Sequence, residues 1–151
     1  MRKQLYQDLH MVLTSIPGIK HVDLWNRNVE FLEEDEAFPM PAVFIEFGQI
    51  DWVPLNGSLL NWRGTGNLNL HIVTEWNGSA EPGTAEMKDN LLGWRLAEKI
   101  HKAIEDLRGD GYDIYGCTSS ISNHDHEDIV DNIEVYRFKV NRALTDDCQA
   151  G

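Results

Sequence analysis

The sequence is poor in cysteine and in long apolar runs, and each shortage excludes a class of protein. Its two cysteines, Cys117 and Cys148, have neither the spacing of a zinc site nor the number needed for a disulfide framework. We therefore expect reduced thiols in a cytosolic compartment. No apolar run approaches the ~20 residues that span a membrane, and residues 1–4 lead into an amphipathic segment without the apolar core of a signal peptide. No membrane partner is expected.

Basic residues are also scarce. Thirteen Lys and Arg residues stand against 25 Asp and Glu residues, which gives a formal net charge of −12. A surface with that charge repels phosphate, so we expect no sequence-specific binding of nucleic acid. The 151 residues are 42% hydrophobic, which suffices for one domain with its own core. We predict a single domain over residues 1–144 and a frayed tail over residues 145–151.

Motifs that carry enzyme chemistry are missing as well. The sequence has no G-x-S-x-G, no P-loop and no G-x-G-x-x-G after a strand, and neither cysteine has a plausible histidine partner. We predict that the protein is not an enzyme and has no cofactor. The acidic run at residues 33–36 is interpreted as a solvated loop.

One polar segment does contain side chains that bind metals: His124, Asp125, His126, Glu127 and Asp128. A metal site also needs ligands that converge from fixed elements, and no H-x-x-x-H or C-x-x-C elsewhere supplies them. We interpret the segment as a solvated connection between two strands and predict no bound metal. A metal-dependent hydrolase that uses this segment stays open as an alternative.

Residues 38–47 form the clearest strand in the sequence. Two prolines force an extended entry, and six residues follow, of which all but Glu46 are β-branched, aromatic or small apolar. Val43, Ile45 and Phe47 would point to one face of a sheet and Phe44 to the other. Apolar residues on both faces predict a central strand that is covered by helix on at least one side.

Apolar periodicity predicts the remaining elements: helices over residues 3–16 and 84–108, and strands over residues 19–25, 64–76, 111–122 and 130–143. We expect the stripe through Leu91, Trp94 and Ile100 to be core, and His71 to face solvent from the polar face of its strand. A change of apolar face along the last strand indicates a bulge or a doubly covered strand. The predicted fold is α+β: a mostly antiparallel sheet of about five strands, two helices packed on one face, and a protruding β-hairpin.

The hairpin covers residues 48–63, around an Asn56-Gly57 turn. Its flanks carry more large apolar side chains than an ordinary connection needs: Ile50, Trp52, Val53, Leu55, Leu59, Leu60 and Trp62. Either the hairpin folds over the core of its own domain or it presents apolar surface to another chain. Composition alone leaves both interpretations open.

The order of elements resembles phage tail terminator and related head–tail completion proteins. The similar pieces are residues 41–47, residues 64–75, and the final strand after a polar turn, within a resemblance that covers roughly residues 3–143. In that family the subunits form a ring, usually six-fold, which caps the tail tube and joins it to the head. The family has no catalytic residues to carry over.

The resemblance implies a homo-oligomeric ring, probably hexameric in the family's usual pattern, with the tail tube protein and a head-completion protein as partners. It implies a location in the virion, and in the bacterial host cytoplasm during assembly. A projecting element lies between neighbouring subunits in the family. The expected interface residues of the hairpin are therefore Ile50, Trp52, Leu55, Leu59 and Trp62. A monomeric acidic binding or inhibitor module, whose acidity mimics nucleic acid, is the alternative from another class.

Overall fold

A computed structural model describes the chain at residues 2–26, 38–55, 58–76, 78, 80–85, 87–105, 107, 109, 111–123 and 128–143. The elements in chain order are α1 (Arg2–Thr14), β1 (His21–Leu24), β2 (Ala42–Leu55), β3 (Ser58–Glu75), α2 (Met87–Asn90), α3 (Leu92–Glu105), β4 (Tyr112–Asn123) and β5 (Ile129–Ala143). The predicted turn at Asn56-Gly57, the acidic run at residues 33–36, residues 124–127 and the tail from residue 144 lie outside the described residues.

The five strands form one sheet in the order β1-β2-β3-β5-β4. β1 pairs with β2 in parallel, and the other three pairs are antiparallel. The predicted fold class is confirmed: this is an α+β fold with a mixed, mostly antiparallel sheet that does not close into a barrel.

The main core lies between the helices and one face of this sheet. α1 buries Leu5, Leu9 and Leu13 on one stripe, as its i, i+4 spacing predicts, and α3 packs beside it. The sheet contributes alternate residues of its three inner strands, all of them nearly inaccessible to solvent: Val43, Ile45, Leu68, Leu70, Ile72, Tyr136, Phe138 and Val140. Burial of these apolar side chains is the main source of stability of the fold.

The opposite face of the sheet carries a smaller apolar cluster around β2. Ala42, Phe44 and Val73 are fully buried there, with Phe38 and Trp25 packed over them. β2 therefore has apolar side chains on both faces, as predicted. Helices cover only one of these faces, and aromatic residues from neighbouring segments cover the other.

The second helix differs from its prediction. The predicted helix over residues 84–108 is split into α2 and α3, and its contact line runs through Gly93, Leu96 and Ile100. Gly93 lies so close to β5 that an added Cβ would sit 2.5 Å from Nδ2 of Asn132. Trp94 follows Gly93 by about 100° around the helix and points away, with 60% of its surface exposed. Assigning Trp94 to the core was wrong.

The last strand, β5, is buried on both faces only near its start, and the bulges lie in its neighbour β4. β5 pairs with β3 in unbroken register from Ile129 to Ala143. The register shifts occur in β4, between Ile114 and Gly116 and again between Cys117 and Ser119. β5 itself therefore has no bulge where it pairs with β3, and its second face is only partly covered, because Ile133 and Val135 are half-buried.

Candidate functional site

The predicted hairpin exists, and it extends the sheet beyond its two edge strands. β1 pairs with only four residues of β2, from Ala42 to Ile45, and β4 reaches β5 no further than Val140. Beyond these points β2, β3 and β5 continue as three strands, with Asn61 opposite Ala143. We call residues 50–55 and 58–66 the distal hairpin.

Two of the predicted interface residues pack against their own domain. Ile50 and Trp52 are half-buried against the main core, and they lie over Gly64 of β3. A Cβ at Gly64 would sit 2.7 Å from Cγ2 of Ile50 and 2.9 Å from the indole of Trp52. Glycine thus gives the two side chains room to lie on the sheet, and for them the self-packing interpretation holds in this chain.

The other apolar residues of the distal hairpin include side chains that are more exposed to solvent than Ile50 and Trp52. Trp62 and Leu55 are half-buried, and the side chain of Leu59 lies outside the description. Among the described side chains of the distal hairpin, Val53 and Leu60 are the most exposed large hydrophobic ones, at 57% and 61%. Both side chains are therefore available to another chain, and neither was among the predicted interface residues. Val53 lies on the same face as its partner Arg63, opposite the face that carries Trp52 and Gly64.

His71 lies on the sheet face opposite the helices, as predicted, but it does not face solvent. Only 4% of it is exposed, because Trp25 stacks on its ring at a centroid distance of 3.7 Å. Nδ1 lies 3.0 Å from Oδ2 of Asp131 and Nε2 lies 3.2 Å from Oε1 of Glu46. Burial lowers the pKa of the imidazole, but its contacts with Asp131 and Glu46 outweigh burial and raise the pKa above the usual 6.5. This arrangement is a buried ion pair with little access for a substrate.

A second polar cluster lies under α3, on the helix side of the sheet. Its centre is the carboxylate of Glu134 on β5, which is 6% exposed. Oε2 of Glu134 accepts hydrogen bonds from Ser120 at 2.5 Å and from the thiol of Cys117 at 3.2 Å, both on β4. Nε2 of His101 on α3 lies 3.4 Å from the same oxygen. We call His101, Cys117, Ser120 and Glu134 the Glu134 cluster.

The Glu134 cluster borders an open cleft of about 330 Å³, which is lined by His101, Cys117 and Tyr136 among others. Burial and the hydrogen bond to Glu134 raise the pKa of the Cys117 thiol, so the free thiol stays protonated. Burial together with the thiol and nearby carboxylates also raises the pKa of Tyr136. Among the described residues, the buried Tyr136 hydroxyl has no hydrogen-bond partner.

Sequence reasoning missed the Glu134 cluster because a bulge decides which face Cys117 occupies. Tyr112 and Ile114 point to the helix side, so strict alternation would send Cys117 to the other side. The register shift between Ile114 and Gly116 moves the pairing by one residue and brings Cys117 opposite Tyr136. The glycine at position 116, with a φ of 130°, is the only sequence signal of this irregularity.

Neither the protein-family models nor the curated protein sequences contain a match to this chain. Within the described ranges, no helix is both long enough and apolar enough to cross a membrane.

Proposed function

We propose that this chain is a structural protein of a phage or prophage tail, of the tail terminator or head–tail completion type. In this proposal its subunits assemble into a ring that caps the tail tube and joins it to the head. The observation that carries the proposal is the distal hairpin, which extends past β1 and β4 and exposes Val53 and Leu60. What distinguishes these two apolar side chains from the other exposed ones is their position on an element that projects beyond the edge strands and can reach a neighbouring chain.

The architecture supports the same proposal. The order of helices and strands and the long β2–β3 hairpin are those that the resemblance to tail terminators implies. The net charge of −12 is compatible with a ring whose channel passes DNA without holding its phosphates. The ring forms when the distal hairpin of one subunit packs on its neighbour, and its rim then stacks on the tube.

The test is the assembly state of the full chain, alone and with its tail tube protein, measured by light scattering and electron microscopy. We expect rings, either free or on the tube. A Val53→Asp/Leu60→Asp double variant should fold by circular dichroism but fail to form them. Met11→Asp serves as a matched control, because Met11 is 71% exposed on α1, and it should assemble normally.

Two results would contradict the proposal. A wild-type chain that stays monomeric with the tube protein present would favour the acidic binding module. A folded Val53→Asp/Leu60→Asp variant that still forms rings would show that the interface lies on another surface. Trp94→Asp would then test whether it lies on the exposed side of α3.

A further inference from the structure

We propose that His101, Cys117 and Glu134 form a binding site for a divalent transition-metal ion, with Zn²⁺ as the best match. The site is separate from residues 124–128, for which the sequence analysis predicted no bound metal, and it goes beyond the proposed role in tail assembly. Its three ligands come from three different elements, α3, β4 and β5, which hold them in fixed positions.

Two of the three distances between the ligand atoms suit a tetrahedral ion, and the third, between His101 and Cys117, is within 4.8 Å. One ligand atom from each of the three residues lies within 4.8 Å of the others. Oε2 of Glu134 is 3.2 Å from the Cys117 sulfur and 3.4 Å from Nε2 of His101. A tetrahedral Zn²⁺ with the usual bond lengths has ligand-to-ligand edges of about 3.3–3.6 Å. Small side-chain movements therefore suffice to admit the ion.

Three side chains approach the same carboxylate oxygen of Glu134, and the single proton of the Cys117 thiol has a second acceptor in the carbonyl oxygen of Ser119, at 3.3 Å. A carboxylate oxygen has about two lone-pair sites. Ser120 and the Cys117 thiol already direct hydrogen bonds to Oε2 of Glu134, yet His101 approaches the same oxygen as a third neighbour. A metal ion between the three side chains would replace the thiol hydrogen bond and also accommodate the imidazole, while Ser120 continues to orient the carboxylate.

The chemistry of the donors selects the metal. A thiolate and an imidazole are ligands of Zn²⁺ and similar ions, whereas Mg²⁺ and Ca²⁺ prefer an all-oxygen site. On binding, the Cys117 thiol gives its proton to solvent and the sulfur becomes a metal ligand. The cleft beside the cluster leaves room for a water molecule as the fourth ligand, and the buried Tyr136 hydroxyl on its wall lacks a partner among the described residues.

The experiment uses the full chain, purified without a histidine tag and stripped with a chelator. Titration with ZnCl₂ should show one equivalent bound per chain and a rise in melting temperature. Co²⁺ in place of Zn²⁺ should give the charge-transfer absorption of a cobalt–thiolate bond. His101→Ala and Cys117→Ser should each weaken Zn²⁺ binding at least about 100-fold, and Ser120→Ala about 10- to 100-fold.

His101→Ala is the principal variant, because its side chain is one-third exposed and its loss leaves the core intact. Two matched controls should bind Zn²⁺ as tightly as the wild type does. Cys148→Ser removes the other thiol, and His124→Ala/His126→Ala removes the two imidazoles of the polar segment. Binding below one equivalent, or binding unchanged in folded His101→Ala, would overturn the site. So would loss of binding in the His124→Ala/His126→Ala control. Because the readout is metal bound to isolated chains, failure here leaves the ring proposal untouched.

Discussion

The indole of Trp25 lies flat on the imidazole of His71, with their centroids 3.7 Å apart and their planes 3° from parallel. The stack closes one side of the ion pair that His71 forms with Asp131 and Glu46. A cationic imidazolium on an aromatic face adds a favourable interaction to the two carboxylate contacts. Stability should therefore depend on the protonation of this one side chain.

The first prediction concerns pH. The folded pKa of His71 is raised above its unfolded value of about 6.5, so the stabilisation by its proton is complete below that pH. It is lost as the pH rises through the folded pKa. The free energy of unfolding of the wild type minus that of His71→Gln should therefore shrink from about pH 6 upward. Urea unfolding at several pH values measures it; a difference that grows with pH would contradict the assignment.

The second prediction concerns the core side of α3. Ile100 is fully buried, so Ile100→Ala should lower the free energy of unfolding by about 2–5 kcal/mol. Trp94→Ala should cost clearly less although the indole is larger, because 60% of Trp94 is exposed. Chemical denaturation of the two variants side by side gives the comparison. Equal losses would mean that Trp94 contributes to the core after all.

The third prediction concerns the contact between Trp52 and Gly64. Replacing a strand glycine by alanine ordinarily helps by about 0.5–1 kcal/mol, but a Cβ at Gly64 would meet Trp52 at 2.9 Å and Ile50 at 2.7 Å. Gly64→Ala should therefore destabilise the protein. In a double-mutant cycle with Trp52→Ala, the two changes together should cost less than the sum of the single losses. Additive losses would show that the indole does not rest on Gly64.

The fourth prediction concerns the close approach of α3 to β5. Alanine at position 93 gains helix propensity of about 1 kcal/mol, but its Cβ would fall 2.5 Å from the amide of Asn132, which accepts a hydrogen bond from Ser122. Gly93→Ala should be destabilising because the buried amide has to move. Asn132→Ala in the same chain should reverse part of the loss. A more stable Gly93→Ala variant would show that the helix can shift away freely.

The sequence by itself determined the elements and the layers of this protein. Alternation in β2 and β3 and the apolar stripe of α1 specify which face of each element is apolar. The structure keeps these local patterns because each element gains stability by burying its own apolar face. The antiparallel pairing of β2 with β3 also follows locally, since a short connection between adjacent strands allows little else.

The tertiary structure decided which polar and aromatic side chains are buried and which meet each other, because contacts between residues far apart in the sequence determine both. Trp25 covers His71 although 45 intervening positions separate them, and no local pattern reveals that the polar face is closed. A one-residue shift in β4 turns Cys117 toward Glu134, so a period-two reading of the strand places the thiol on the wrong face.

The glycines at positions 64 and 93 admit Trp52 and Asn132, and these close approaches decide that Trp52 packs inward while Trp94 is left outside. Register and close packing are properties of pairs of elements, which is why the Glu134 cluster emerges only in three dimensions.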